Sequence, residues 1–304
     1  MEQLMRNFFL FLSKNKTLTN LAKKYGLRFG AARFVAGVDI DQASKKIKEI
    51  NDDGFVVTVD HLGEFIDNEK EARESADECI HAIEVIAEKG LDSELSLKMT
   101  SMGLDISEKL VMDNMRRILD AGKKHNVMVT IDMEDYERSG KTLDIFKELR
   151  SEYENVGTVL QAYLYRTVED IEDLNEYNPY LRLVKGAYKE SPEVAYPDKK
   201  DVDENYKKII KMNLLNGNYT AIATHDEAII DYVKELEKEH NISRDQFEFQ
   251  MLFGIRRDLQ NKLLKEEYKM RVYVPYGDDW YGYNMRRLAE RPANAMFVLK
   301  GVLK

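Results

Sequence analysis

The chain has 304 residues, 43% hydrophobic and 33% charged, with a net charge of -9. This is the balance of a globular protein about the size of one α/β barrel, and an acidic chain without a basic block argues against a nucleic-acid partner. A single cysteine, Cys79, excludes a disulfide framework or a cysteine-rich metal site and suits a reducing cytoplasm.

The apolar run at 4–12 is interrupted by Arg6 and Asn7 and is too short to span a bilayer. No small-residue cleavage site follows it, so a signal peptide is not expected. It predicts a helix packed on the body of the protein, or docked shallowly on a membrane surface. Helices are predicted over 17–25, stopped by Gly26, and over 28–36 and 41–50. The texture then changes. Short β-branched runs at 55–59, 94–99, 127–131, 156–162, 181–184, 219–223, 247–251 and 271–274 predict eight strands. Amphipathic stretches at 68–89, 108–124, 141–151, 168–176, 202–215, 227–240 and 255–265 predict helices between them. This alternation implies a closed parallel (βα)8 barrel with its helices outside. A doubly wound open sheet would want a glycine-rich first turn, and after Val59 there is only Asp60-His-Leu-Gly63. No low-complexity linker divides the chain. The expected organisation is a helical extension over 1–52 and a catalytic barrel over 53–304.

In such a barrel the chemistry collects at the C-terminal ends of the strands. Those ends carry Asp60, His61 and Glu64; Lys98; Asp132, Met133 and Glu134; Gln161 and Tyr163; Arg182 and Lys185; Thr224, His225 and Asp226; Gln250 and Leu252; and Tyr273. Each has a plain alternative. Lys98 could be a surface lysine, and Asp132 or His225 could cap a helix. Gln161 could satisfy backbone groups, and Arg182 and Lys185 could pair with Glu176 or Glu190. Ionisable groups at nearly every strand end nevertheless cost stability, which a scaffold tolerates mainly at a site. Gly186 would let backbone approach a ligand closely, and Lys185 with nearby N–H groups would suit a diphosphate. Arg182 and Lys185 fall on opposite strand faces by alternation. The histidines include no strand-end pair suited to a metal.

Past the last strand, Tyr283, Arg286, Arg287 and Glu290 fall at i, i+3, i+4 and i+7, one face of a helix. Two adjacent guanidiniums repel unless an anion lies nearby, and their rigid forks suit a carboxylate or phosphate. The plain alternative is a charged surface face with Glu290 paired to Arg286.

The order Tyr-x-x-Arg-Arg-x-x-Glu after Arg-Val-Tyr-Val-Pro-Tyr-Gly at 271–277 resembles the C-terminal signature of proline dehydrogenases. So do Leu-Lys-Met-Thr at 97–100, Ile-Asp-Met-Glu at 131–134 and Leu-Gln-Ala-Tyr at 160–163. Arg-Leu-Val-Lys-Gly-Ala-Tyr at 182–188, Ala-Thr-His-Asp at 223–226 and Phe-Gln-Met-Leu-Phe-Gly at 249–254 complete the set. The resemblance runs in consistent order from about Thr58 to the C-terminus.

It implies a distorted TIM-type barrel holding FAD non-covalently, with a C-terminal helix over the barrel mouth. Arg286, Arg287 and Lys98 would bind the carboxylate of L-proline, with Asp132 orienting Lys98. Leu252, Tyr273 and Tyr283 would wall the ring. Arg182 would hydrogen-bond the flavin near N5. Met133, Gln161, Val184, the Lys185-Gly186-Ala187 segment, Thr224 and His225 would hold other parts of FAD. Glu64 resembles a gate acid that pairs with Arg286 when no substrate is bound. The implied reaction is hydride transfer from proline C5 to flavin N5, giving Δ1-pyrroline-5-carboxylate, the first step of proline catabolism to glutamate. Electrons would pass to a membrane quinone through a peripheral contact at the inner face of the cell membrane. A separate pyrroline-5-carboxylate dehydrogenase is the expected functional partner. Lys189 follows Tyr188 where some bifunctional relatives place an aromatic residue, a departure at the adenine end. The chain resembles the short monofunctional bacterial type.

Overall fold

The computed structural model describes residues 34–280, 282, 283 and 285. The expected clamp residues Arg286 and Arg287, their neighbour Glu290, and the helix predicted over 17–25 therefore lie outside the described residues, as does the run at 4–12.

The first described helix, α1 (Ile40–Asp52), starts at Asp39, whose carboxylate accepts from the N–H of Gln42. Its apolar face of Ile40, Ala43, Ile47 and Ile50 is buried in the main core. Strands and helices then alternate without a break: β1 (Val56–His61), α2 (Glu69–Glu88), β2 (Ser93–Lys98), α3 (Glu108–His125), β3 (Val129–Asp132), α4 (Tyr136–Glu152), β4 (Val156–Gln161), α5 (Thr167–Leu174), β5 (Tyr180–Val184), α6 (Lys199–Leu215), β6 (Thr220–Ala223), α7 (Glu227–His240), β7 (Phe247–Leu252), α8 (Arg257–Lys265) and β8 (Met270–Tyr276). Each strand pairs in parallel with the next, and β8 pairs with β1, so the sheet closes. The (βα)8 barrel expected from the sequence is therefore present.

Local chemistry explains the boundaries. Asn68, Ser107, Asp135 and Asp226 each cap a helix by accepting a backbone N–H from its first turn. The helix predicted to begin at Lys141 begins at Tyr136 because Asp135 supplies that cap. At the far end of α3, Asn126 adopts the left-handed conformation (φ 56°) after Lys123, Lys124 and His125, which complement the helix dipole.

One expected helix is not found over its described part. Residues 34–37 lie outside any helix. Instead the Ala36 N–H donates to the carbonyl of Pro275 (2.9 Å), and the Gly37 carbonyl accepts from Gly277 (3.0 Å). The chain is drawn along the end of β8, where Val35 packs with Leu62, Trp280 and Tyr283.

The barrel interior is polar. Tyr180 on β5 reaches Glu94 on β2 and Glu248 on β7, and Arg182 on β5 reaches Ser96 and Asp132 on β2 and β3. Strands this far apart in the sheet can meet only through the middle. The contacts form two tiers. Glu94, Tyr180, Glu248 and Arg271 lie nearer the N-terminal ends of the strands, and Ser96, Asp132, Arg182 and Tyr273 lie two residues further along.

Candidate active site

The upper tier opens onto the C-terminal rim, and its centre is Asp132. One carboxylate oxygen accepts from Arg182 Nη1 (2.6 Å) and the Ser96 hydroxyl (2.8 Å). The other accepts from the Tyr273 hydroxyl (2.7 Å) and lies 3.4 Å from Lys98 Nζ. Lys98 is held more closely by Asp60, at 3.1 Å from each carboxylate oxygen. The Arg182 guanidinium lies 5.2 Å from the centroid of the Tyr273 ring. Two carboxylates thus alternate with two cations, and strands β8, β1 and β2 are linked through β3 to β5.

Electrostatics follow from this packing. Burial alone would raise Asp132, but Lys98 and Arg182 outweigh it and hold its carboxyl below the ordinary range. Burial also works against a charged Lys98, yet Asp60, Asp132 and Glu64 raise its pKa well above normal, so its ammonium persists at any physiological pH. At Asp60 the balance reverses. Desolvation lifts its carboxyl to about 6 despite the pull of Lys98, with Asp132 adding repulsion.

Burial likewise lifts Glu134 to about 7, although Thr100 donates to it through both its hydroxyl and its N–H. A folded-state pKa above the unfolded value means that the folded protein keeps a proton the open chain has released. Stability should therefore fall as pH rises from the ordinary glutamate range through about 7. Glu134→Gln is expected to flatten that part of the Tm-against-pH curve. An unaltered curve would show that Glu134 is ionised throughout.

The sequence-derived candidates divide between two arcs of the rim. Lys98, Asp132 and Tyr273 meet as just described, and the charge of Glu64, in the β1–α2 loop, acts on Lys98. Leu252 ends β7, and its N–H donates to Nε2 of His225 (3.1 Å). Tyr283 is buried beside Trp280. On the other arc, Gln161 donates from Nε2 to the Met133 carbonyl (3.2 Å). Thr224 is buried, its hydroxyl accepting from Asp226 (3.1 Å) and its N–H donating to the Gln250 carbonyl. Val184 ends β5, and Gly186 and Ala187 follow it, exposed. Gly186 has φ +111°, and a Cβ there would lie 2.1 Å from the Tyr163 ring. Only glycine lets this turn close against Tyr163.

Several plain alternatives fail. Arg182 is almost fully buried and not on the surface. Asp132 ends a strand, and the caps are Asp135 and Asp226 rather than Asp132 and His225. Lys185 sits with neither Glu176 nor Glu190. Its ammonium lies between Asp203 (2.5 Å) and Asp226 (2.7 Å).

The sequence reading gave no role to Asp60, Ser96 or Glu134. Asp60 and Glu134 stand in its strand-end segments, and Ser96 carries a period-2 signal, two residues before Lys98 on the same strand face. Among the described residues, Arg182 Nε and Nη2 and the side-chain oxygens of Gln161 and Gln250 are buried without hydrogen-bond partners. Such atoms are costly unless something polar completes them. A flavin, rich in ring carbonyls and nitrogens and bearing an N–H, matches that mixture of donors and acceptors. No cluster of three or more metal-binding side chains occurs among the described residues.

Residues 43–300 match the family model described as proline dehydrogenase. The chain is similar to Proline dehydrogenase 2 of Bacillus subtilis (strain 168), 59% identical over 98% of this chain and 99% of that one. It is 45% identical to Proline dehydrogenase of Deinococcus radiodurans, over 100% of this chain and 99% of that one. Among solved structures, it superposes with a TM-score of 0.85 and 26% identity on proline utilization A (PutA) from Bdellovibrio bacteriovorus inactivated by N-propargylglycine. That match covers 99% of this chain but only 38% of the longer PutA chain.

Proposed function

The chain belongs to the proline dehydrogenase family, and from that premise we propose that it oxidises L-proline to Δ1-pyrroline-5-carboxylate with FAD as its cofactor. It is an oxidoreductase acting on a CH–NH donor, at the first step of proline catabolism to glutamate. The observation that carries the site reading is the junction at Asp132, where a balanced set of charges borders buried polar atoms without partners. FAD, when bound, supplies the acceptor for the hydride that leaves proline C5 for flavin N5. Arg182, Gln161, the backbone of Met133, Val184, the Lys185-Gly186-Ala187 segment, Thr224 and His225 would hold it.

The substrate brings another negative charge. The charges of Asp60, Glu64 and Asp132 already act on Lys98, with Arg182 the other cation of the junction. A further carboxylate needs more positive charge. In this proposal Arg286 and Arg287 supply it alongside Lys98, and Glu64 pairs with Arg286 in the absence of substrate. Leu252, Tyr273 and Tyr283 wall the ring. The ring amine must lose its proton before its lone pair can assist hydride departure, and three nearby cations favour that loss. Asp132 keeps Lys98 and Arg182 charged and oriented. Much of the acceleration would come from positioning and fixed charge.

The same proposal includes a catalytic barrel over 53–304 behind a helical extension over 1–52. It also has electrons passing to a quinone at the inner face of the cell membrane, and a cytoplasmic enzyme touching that surface peripherally. No described helix is long and apolar enough to cross a membrane. The product would pass to a separate pyrroline-5-carboxylate dehydrogenase.

Arg286→Ala is expected to raise KM for L-proline about 100-fold with flavin content unchanged, since loss of a buried contact to a charged partner costs about 2–5 kcal/mol. An unchanged KM would remove Arg286 from the carboxylate site.

A further inference from the structure

Three loops on one side of the rim are tied by a relay that the chemistry above does not use. Glu134, two residues beyond β3, is 1% exposed. Its carboxylate accepts the N–H (3.0 Å) and the hydroxyl (2.5 Å) of Thr100, two residues beyond β2. The Thr100 oxygen in turn accepts the N–H of Phe65 (3.1 Å) in the β1–α2 loop. Alongside, the Ser101 hydroxyl donates to the Gly63 carbonyl (2.7 Å). Both contacts fall on either side of Glu64.

Phe65 has φ 56°, a left-handed conformation that a bulky residue adopts only when its surroundings impose it. Phe65 is 48% exposed, so core burial does not impose it. The hydrogen bond to Thr100 holds the backbone, and Arg138, fixed by Asp105 and Asp135, covers the ring at 5.2 Å. The relay therefore ends beside two charges of the substrate arc, Glu64 and Lys98, the first of which acts on the second. Glu64 immediately precedes Phe65, and Lys98 stands two residues before Thr100.

We infer that Glu134 is a positioning residue for the substrate side of the site, acting through Thr100 to fix the β1–α2 loop and Glu64 against the end of β2 that carries Lys98. The kinetic part of this inference rests on L-proline being the substrate.

Glu134→Gln leaves one acceptor oxygen for the two Thr100 donors. Thr100→Val keeps the shape and removes the hydroxyl. Each is expected to raise KM for L-proline about three- to tenfold, the scale of one lost hydrogen bond, with kcat changed less than about twofold. The double variant should be no worse than the worse single, because both cut one relay. Thr100→Ser should restore the wild-type KM. Effects that add, or a fall in kcat with KM unchanged, would overturn the inference. Amide hydrogen exchange over 62–67 reads the relay without any substrate. It should be faster in Glu134→Gln and Thr100→Val and ordinary in Thr100→Ser. Unchanged exchange in the first two would overturn the inference whatever the substrate, and should Glu134→Gln not fold, the two Thr100 variants decide it.

Discussion

Asp132→Ala is expected to lower kcat/KM for L-proline about a thousandfold. Asp132 accepts from Arg182, Ser96 and Tyr273 and faces Lys98, so its removal disturbs both cations of the junction at once. Arg182 has nowhere to relax, because its side chain is only 4% exposed and its other described hydrogen-bond partner is the neutral Ser96 hydroxyl. Stranding one member of a buried pair costs about 3–5 kcal/mol, which as lost positioning corresponds to roughly two to three and a half decades in rate. Asp132→Asn keeps the shape and an acceptor but not the charge, and should lose less, about tenfold to a hundredfold. Steady-state assays with a dye acceptor, alongside far-UV circular dichroism to confirm the barrel, give the comparison. Asp132→Ala protein that is folded and within tenfold of wild type would show that the junction is not part of the working site.

Arg271→Leu should strike stability instead, by about 3–5 kcal/mol in urea unfolding. Arg271 is 3% exposed, bonds Glu248 through Nε (2.5 Å) and Nη2 (3.1 Å), pairs with Glu94 (3.0 Å), and donates to the Val57 carbonyl (2.7 Å). It thereby joins β8 to β7, β2 and β1, including the seam where the barrel closes. Burial alone would raise Glu248, but Arg271 outweighs it and holds the carboxyl down at about 2. Without the guanidinium, Glu248 and Glu94 become buried like charges, with the half-exposed Lys269 beside Glu248 and Arg182 one tier above. The deficit should narrow from about pH 8 to about pH 5, because the stranded carboxylates then take up protons. A loss below about 1 kcal/mol would mean that the pair contributes no more than a surface salt bridge.

The barrel was legible because its signals are local. Each of the eight β-branched runs becomes a strand, and errors at the ends trace to single caps such as Asp135. Residues 34–37 escaped because what shapes them is distant, the carbonyl of Pro275. The same distinction applies to the site. That Lys98, Asp132 and Arg182 belong at strand ends could be read from alternation, whereas which side chains meet depends on register. Asp60 is opposite Ser96, which places Lys98 two residues beyond it on the neighbouring strand, and no short pattern states that offset. The glycine after Lys185 is a local sign of close backbone approach. That the Lys185 ammonium also meets Asp203 and Asp226, partners 18 and 41 residues further along the chain, no local pattern states.

The proposed activity requires a flavin seated at the C-terminal rim that L-proline can reduce. The most direct test is the visible spectrum of the purified protein before and after L-proline is added without oxygen. The expected result is a yellow protein whose flavin band bleaches with L-proline but not with a reduced folate or NADH. Protein that is colourless and cannot be loaded with FAD, or whose bound flavin is indifferent to L-proline, would contradict it.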